Sequence, residues 1–369
     1  MSKSFIQTIA FIALMSSMAV QANLIQPLSL LPEPVSNNAV TVVENNGEQY
    51  IVSFSGLGTT KGHHDVHDKT FVYNVHTNTW HQGSNVPIQT PIIDVTENKN
   101  KIELTGRLAS VAANIGPLAY VFGGYTVARN HSEVSVPDVY SYDVTKDKYT
   151  LLAPMPVPVD DSVALTYQNR YIYLVSGWHN DGNVNLVQLY DTQTDTWTQA
   201  TPFPGKPVFG QAGAIVNNKL MVCDGVAIEF HHSKRRNYAA EPACYLGTIS
   251  SQNVNKIDWR IAKHPTGTAR YRMAAVGDES TNQFIFLGGS NNPYNFSGIG
   301  YNKVPSTADS SIWQYNIAEQ KWTISKSPFE TMDHRALLKL NDHYLTVGGM
   351  NSQQQVLNTI NIHPVKSSK

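Results

Sequence analysis

Short apolar runs recur along the chain, and each ends in a pair of small residues. They are Val121-Phe122-Gly123-Gly124, Leu174-Val175-Ser176-Gly177, Met221-Val222-Cys223-Asp224-Gly225, Ile285-Phe286-Leu287-Gly288-Gly289 and Thr346-Val347-Gly348-Gly349, with a weaker copy at Val52-Ser53-Phe54-Ser55-Gly56. β-Branched and aromatic residues fill these runs, and turn signals such as Thr77-Asn78, Asn217-Asn218 and Asn341-Asp342 separate them, which predicts short strands. Downstream of most copies a tyrosine is followed by Asn or Asp, with a second aromatic seven residues after it: Tyr73 and Trp80, Tyr142 and Tyr149, Tyr190 and Trp197, Tyr315 and Trp322. The fourth copy is looser, with Tyr245 and Trp259 fourteen apart. No segment sustains a 3.6-residue apolar period, so helices are expected to be minor.

Units of roughly 50 to 65 residues, each reading as four strands with periodic glycine and aromatic positions, predict propeller blades. The diglycine, the Tyr and the Trp resemble the Kelch motif. The expectation is an all-β, six-bladed Kelch β-propeller forming one domain over residues 23–369. The last copy, 333–362, ends after its third strand. The segment Pro27-Leu28-Ser29-Leu30-Leu31-Pro32-Glu33-Pro34 resembles the ends of complete repeats, such as Leu151-Leu152-Ala153-Pro154-Met155-Pro156, and is expected to supply the missing strand and close the ring.

Residues 1–22 read as a secretory signal: Lys3, an apolar stretch over 5–14, then Val20-Gln21-Ala22 with small residues at the cleavage positions. An exported, periplasmic or secreted protein follows as an expectation, with no membrane insertion after cleavage. Export permits disulfides, and Cys223 and Cys244 allow one bridge. With Lys+Arg 27 against Asp+Glu 28, the net charge of −1 offers no global field for nucleic acid, so electrostatic binding has to be local.

Strand parity locates that binding. In a four-stranded antiparallel blade, the connections into the first strand and those between the second and third strands lie at one end of the ring. Arg107, Arg272 and Arg335 stand at the starts of first strands, with Asp160, Asp161 and Gln211 nearby in the chain. Guanidinium groups bind carboxylates in bidentate fashion, so the three arginines suggest an anionic small ligand; bonding to loop carbonyls or to Asp160 and Asp161 is the alternative. Long insertions share that end. They bring His63, His64 and His67 in blade one, residues 125–137 in blade two, Trp178 and His179 in blade three, and Tyr294 and Tyr301 in blade five. Aromatics beside Asn, Asp and His suit sugar recognition, while the histidine spacing matches no strong zinc signature. The blade-four insertion carries Glu229, Arg235 and Arg236, a carboxylate six residues from an arginine, which could place an acid/base group beside an anion clamp.

An exported six-bladed Kelch propeller whose N-terminal segment completes the last blade resembles the bacterial periplasmic N-acetylneuraminate epimerases, the sialic acid mutarotases. The resemblance implies interconversion of the anomers of an acidic sugar without cofactor or metal, and a Glu and an Arg from the blade-four insertion at the site. By position these are Glu229 and Arg235. Substrate contacts are then expected from Arg107, Arg272, Arg335, Arg236, Trp178, His179 and Tyr294. A non-catalytic glycan- or protein-binding module of the cell envelope, using the same rim, is the competing expectation.

Overall fold

The computed structural model describes residues 27–89, 92–94, 102–104, 106–129, 132–231 and 234–365, so the signal-like segment lies outside the described residues. Five four-stranded antiparallel sheets follow in chain order. Blade one is Ala39–Asn45, Glu48–Leu57, Val66–Asn74 and Thr79–Gly83, and blade two is Val111–Ile115, Leu118–Phe122, Val139–Asp143 and Lys148–Leu151. Blade three is Val163–Tyr167, Tyr171–Val175, Val187–Asp191 and Thr196–Gln199; blade four is Ala212–Val216, Lys219–Cys223, Cys244–Ile249 and Ile257–Ala262. Blade five is Ala274–Asp278, Gln283–Leu287, Asp309–Asn316 and Lys321–Thr331. A sixth sheet of Leu338–Leu340, His343–Val347 and Ile360–His363 completes a six-bladed β-propeller. Among the described residues the helical content is a single 3-10 turn at His63–Asp65.

The apolar runs are the second strands. Gln283–Leu287 is buried throughout, because each blade's second strand is covered by neighbouring sheets on both faces. The seven-residue aromatic spacing spans one tight hairpin, so Tyr73 stands directly opposite Trp80, and Tyr190 opposite Trp197, on adjoining strands. Their ring centroids are 5.1 and 4.8 Å apart. Each tyrosine hydroxyl donates to an Asx in the turn, Tyr73 to Asn78 (2.6 Å) and Tyr190 to Asp195 (2.6 Å). Each Trp indole donates to a preceding segment, Trp80 to the Ser29 carbonyl (3.0 Å) and Trp197 to that of Ala153 (2.9 Å). Blade four departs because Gly247, not Tyr245, stands opposite Trp259, and Tyr245 instead packs edge-on against Phe203.

Ring closure differs in detail from the expectation. Residues 27–35 run beside the last blade, where the Leu31 N–H donates to Asn358 O (2.8 Å), Val35 N–H to Leu357 O (3.0 Å) and Gly349 N–H to Val35 O (2.9 Å), but they form no fourth ladder strand. Pro27, Pro32 and Pro34 have no N–H to give a ladder. Gly348 makes the contact possible: at φ +65 its backbone passes so close that a Cβ would lie 2.2 Å from the Val35 carbonyl.

A second closure runs around the axis. The Ala109 N–H donates to Asn37 O (3.1 Å), Asp161 to Ala109 (3.0 Å), Gly210 to Asp161 (2.9 Å), Arg272 to Gly210 (2.8 Å) and His334 to Arg272 (3.2 Å). The Asp333 carboxylate completes this collar by accepting the Asn37 N–H (3.0 Å). Most of these residues adopt positive φ, which turns each chain inward just before its first strand. The collar separates a channel lined by first-strand residues such as Val40, Ala112, Ala164, Ile215 and Ala275 from the loop-bearing mouth.

Candidate functional site

The floor of the mouth is built from collar side chains. Arg272 is 2% exposed; its Nη2 lies 2.5 Å from Asp161 Oδ2, its Nε donates to the same oxygen (3.0 Å), and its Nη1 reaches Asp333 Oδ1 at 3.0 Å. Arg335 contributes Nη2 to Asp161 Oδ1 (2.8 Å) and to Asn37 Oδ1 (2.8 Å), and Asn37 Nδ2 donates to Asp333 Oδ2 (2.6 Å). Two guanidinium groups and two carboxylates thus neutralise each other. Burial alone would raise Asp161, but the charges of Arg272 and Arg335 outweigh it and hold the carboxyl below its ordinary value. The Arg272 guanidinium lies over the Tyr271 and Tyr294 rings, at 4.7 and 5.3 Å from their centroids.

Above this floor lies a cavity of about 230 Å³ lined by Tyr125, Glu133, Asp160, Asp161, Trp178, Phe209, Arg236, Tyr238, Arg272, Asn295, Phe296 and Tyr301. Four insertions bring the walls, the blade-five one through Asn295, Phe296 and Tyr301. The blade-two hairpin pairs Tyr125–Val127 with Glu133–Ser135, and because Ser135 stands opposite Tyr125 and Glu133 opposite Val127, all four share the inward face. Trp178–His179 extends blade three, and the Trp178 ring meets Phe209 edge-on at 5.3 Å. The blade-four hairpin, Val226–His231 with Lys234–Ala240, carries Arg236 and Tyr238 on the face that also holds Ile228. Arg236 lies over Trp178 (5.4 Å) and pairs with Asp181. Cys223 and Cys244, paired directly across the second and third strands, are disulfide-bonded at the base of this hairpin.

The unexpected chemistry is a pair of carboxyls. Ser135 Oγ donates to Asp160 Oδ2 (2.5 Å). Burial pushes Asp160 well above the ordinary carboxylate range, with the Ser135 bond opposing and the charges of Asp161 and Glu133 adding. Glu133 is open to solvent at the rim, yet enough protein surrounds it that desolvation, opposed by Arg272 and supported by Asp161, pushes it up to about 7. A carboxyl poised near neutrality, beside one that burial makes hold its proton more firmly than usual, can take and give protons in one site.

The sequence-derived residues divide. Arg272, Arg236 and Trp178 line the mouth, and Arg335 braces its floor. Arg107 does not reach it: its Nη1 donates to Gly106 O (2.9 Å), its Nη2 lies 4.0 Å from Asp138, and it packs with Tyr140 between blades one and two. The reason is register. Arg107 precedes the collar residue Ala109 by two positions, whereas Arg272 is itself the collar residue. Tyr294 is fully buried beneath Arg272, and His179 is held by Pro158 O (2.6 Å) outside the cavity lining. Glu229 stands opposite Asn237, one step out of phase with Arg236 and Tyr238, with its carboxylate 4.0 Å from Lys206 and 42% exposed. The Arg235 backbone belongs to the same hairpin, and its side chain lies outside the described residues. Glu133, Tyr125 and Tyr238 were not singled out from sequence; alternation outward from Tyr125 would have found Glu133 had the turn between the two strands been legible.

Asp224, Cys244 and His264 also converge, their donor atoms within 4.8 Å of one another. They do not suit a metal. Cys244 is bonded to Cys223, and His264 Nδ1 accepts the Gly267 N–H (2.8 Å), so its Nε2 carries the hydrogen that it donates to Asp224 (2.7 Å).

Comparison with known proteins agrees with this architecture. A Kelch motif model matches residues 106–156. A Kelch repeat-containing protein of Dictyostelium discoideum is 28% identical over 169 residues, 40% of this chain and 25% of that protein. Human Kelch-like protein 15 is 25% identical over 114 residues, covering 31% of this chain and 18% of its own. The chain therefore spans a quarter or less of the length of these curated relatives. The solved structure of YjhT superposes with a TM-score of 0.68 at 15% identity, covering 93% of this chain and 98% of that one, a likeness of fold.

Proposed function

We propose that this Kelch propeller is an exported sugar isomerase that interconverts the anomers of N-acetylneuraminate or a similar acidic sugar in the mouth above the collar. The observation that carries the reading is the pair Glu133 and Asp160, set between Trp178, Tyr238 and Tyr301 with Arg236 at the edge. Aromatic faces cover the apolar faces of a sugar ring, and the carboxyls supply proton transfer. Glu133 takes the proton of the anomeric hydroxyl while protonated Asp160 gives one to the ring oxygen; the ring opens to the carbonyl form, and closure on the other face returns both protons. Arg236 meets the substrate carboxylate, exchanging its solvent-exposed partner Asp181 for it, a task the floor arginines leave to it because their partners Asp161 and Asp333 are buried with them.

Proton NMR of freshly dissolved α-N-acetylneuraminic acid, with and without catalytic amounts of protein lacking residues 1–22, tests the reading. Faster approach to anomeric equilibrium, lost in Glu133→Gln and retained in Glu229→Gln, is the expected result. Acceleration lost in Glu229→Gln alone would move the chemistry back to the blade-four hairpin. Ligand line broadening without acceleration would leave a sugar-binding module, the second reading.

A further inference from the structure

Two of the insertions touch at the rim. Tyr238, on the blade-four hairpin, and Tyr301, at the tip of the blade-five insertion, stack face to face with ring centroids 3.9 Å apart and an interplanar angle of 16°. Both line the cavity, but Tyr301 is 37% exposed whereas Trp178, Phe209, Tyr125 and Phe296 are each 9% or less, so the stack stands on its outer side.

Neither arm is a loose loop. The blade-four hairpin is a two-stranded ladder fastened at its base by Cys223–Cys244. The blade-five insertion is knotted by its own backbone: Tyr301 N–H donates to Pro293 O (3.0 Å), Gly300 N–H to Val304 O (2.8 Å), Lys303 N–H to Gly300 O (2.7 Å) and Ser306 N–H to Gly298 O (3.0 Å). Asn292 Nδ2 adds a bond to Val304 O (3.0 Å), and Ser306 Oγ one to Asn292 O (2.7 Å). A Cβ on Gly300 would lie 2.7 Å from the Val304 carbonyl, so the turn that aims Tyr301 is tight as well as bonded.

We propose that the Tyr238–Tyr301 stack is a fixed bar across the mouth that admits a single free sugar and excludes the same sugar once it is linked to a longer glycan. The inference rests on the sugar reading above and names which residues set its size limit. The cavity is about 230 Å³, at the small end for ligand pockets, and its floor is closed by the ion-paired collar. A chain continuing from a bound residue therefore has to leave past the rim, where the two rings meet.

The test is saturation-transfer NMR titration of the intact protein with N-acetylneuraminate and with 3′-sialyllactose. The wild type is expected to bind the free sugar at least tenfold more tightly than the trisaccharide. Tyr301→Ala is expected to move the two affinities in opposite directions, weakening the monosaccharide through lost stacking and strengthening the trisaccharide, so that selectivity falls below about threefold. Tyr301→Phe keeps the ring and is expected to keep the selectivity. Equal binding of both ligands by the wild type overturns the bar while leaving the sugar reading intact. Unchanged selectivity in a folded Tyr301→Ala overturns it too, and binding of neither ligand overturns both readings.

Discussion

The floor and the rim of the mouth contain the same residue types in opposite states. On the floor, Arg272 and Arg335 face Asp161 and Asp333, every group is nearly or fully buried, and the charges cancel. On the rim, Glu133 is exposed and its carboxyl is pushed up to about 7, while Arg236 shares an exposed partner, Asp181. An arginine is thus a binding group or a structural one according to whether its counter-charge is open to solvent, as Asp181 is, or buried with it, as Asp161 and Asp333 are. A buried ion-paired network holds geometry, whereas a carboxyl open to solvent at the rim keeps the freedom to exchange a proton.

The largest effect is expected from breaking the floor. Asp161→Ala leaves two buried guanidinium groups short of a partner and should cost about 3–5 kcal/mol, read as a lowered urea midpoint. A loss under about 1 kcal/mol would show that the collar backbone suffices by itself. Glu133→Gln provides the contrast: the proposed activity falls by about 10²–10⁴-fold, while stability at pH 4, where the Glu133 carboxyl carries its proton, stays within about 0.5 kcal/mol.

Arg236→Ala is expected to weaken binding of an acidic sugar by about tenfold and of an uncharged sugar far less, measured by titration at two ionic strengths. The smallest effect separates the regions by pH. Glu133 is raised in the folded protein, so its ionisation opposes folding: stability should increase as pH falls from about 7 toward the ordinary carboxylate range near 4.5. Asp161 is lowered, so its contribution is present above its unfolded value near 3.8 and is lost as pH falls through its folded value. Urea midpoints across pH 3–8 therefore climb on going down to about pH 5 and then fall, and Glu133→Gln removes the climb but not the fall.

Most of the architecture was legible in the chain. The diglycine runs, the paired aromatics and the truncated last repeat are local signals, because each arises within one hairpin or one crowded turn. Tyr73 and Trp80 lie seven residues apart since a tight hairpin sets them opposite each other. Parity, too, put the insertions and the first-strand starts at one end of the ring. The three-arginine clamp was not legible as such, since a two-residue offset from the collar decides whether an arginine faces the axis, as Arg272 does, or packs between blades, as Arg107 does.

The sequence by itself determined the repeating strand pattern, the number of blades and which segments gather at the mouth, because these depend on periodicity and short-range pairing. Only the tertiary structure decided which charges meet. Arg272 finds Asp161 across 111 residues and Asp333 across 61, and Glu133 comes to Asp160 through hairpin phase. Such contacts depend on ring closure and on single-residue register, and a shift of one residue in a strand turns a side chain from the cavity to the opposite face.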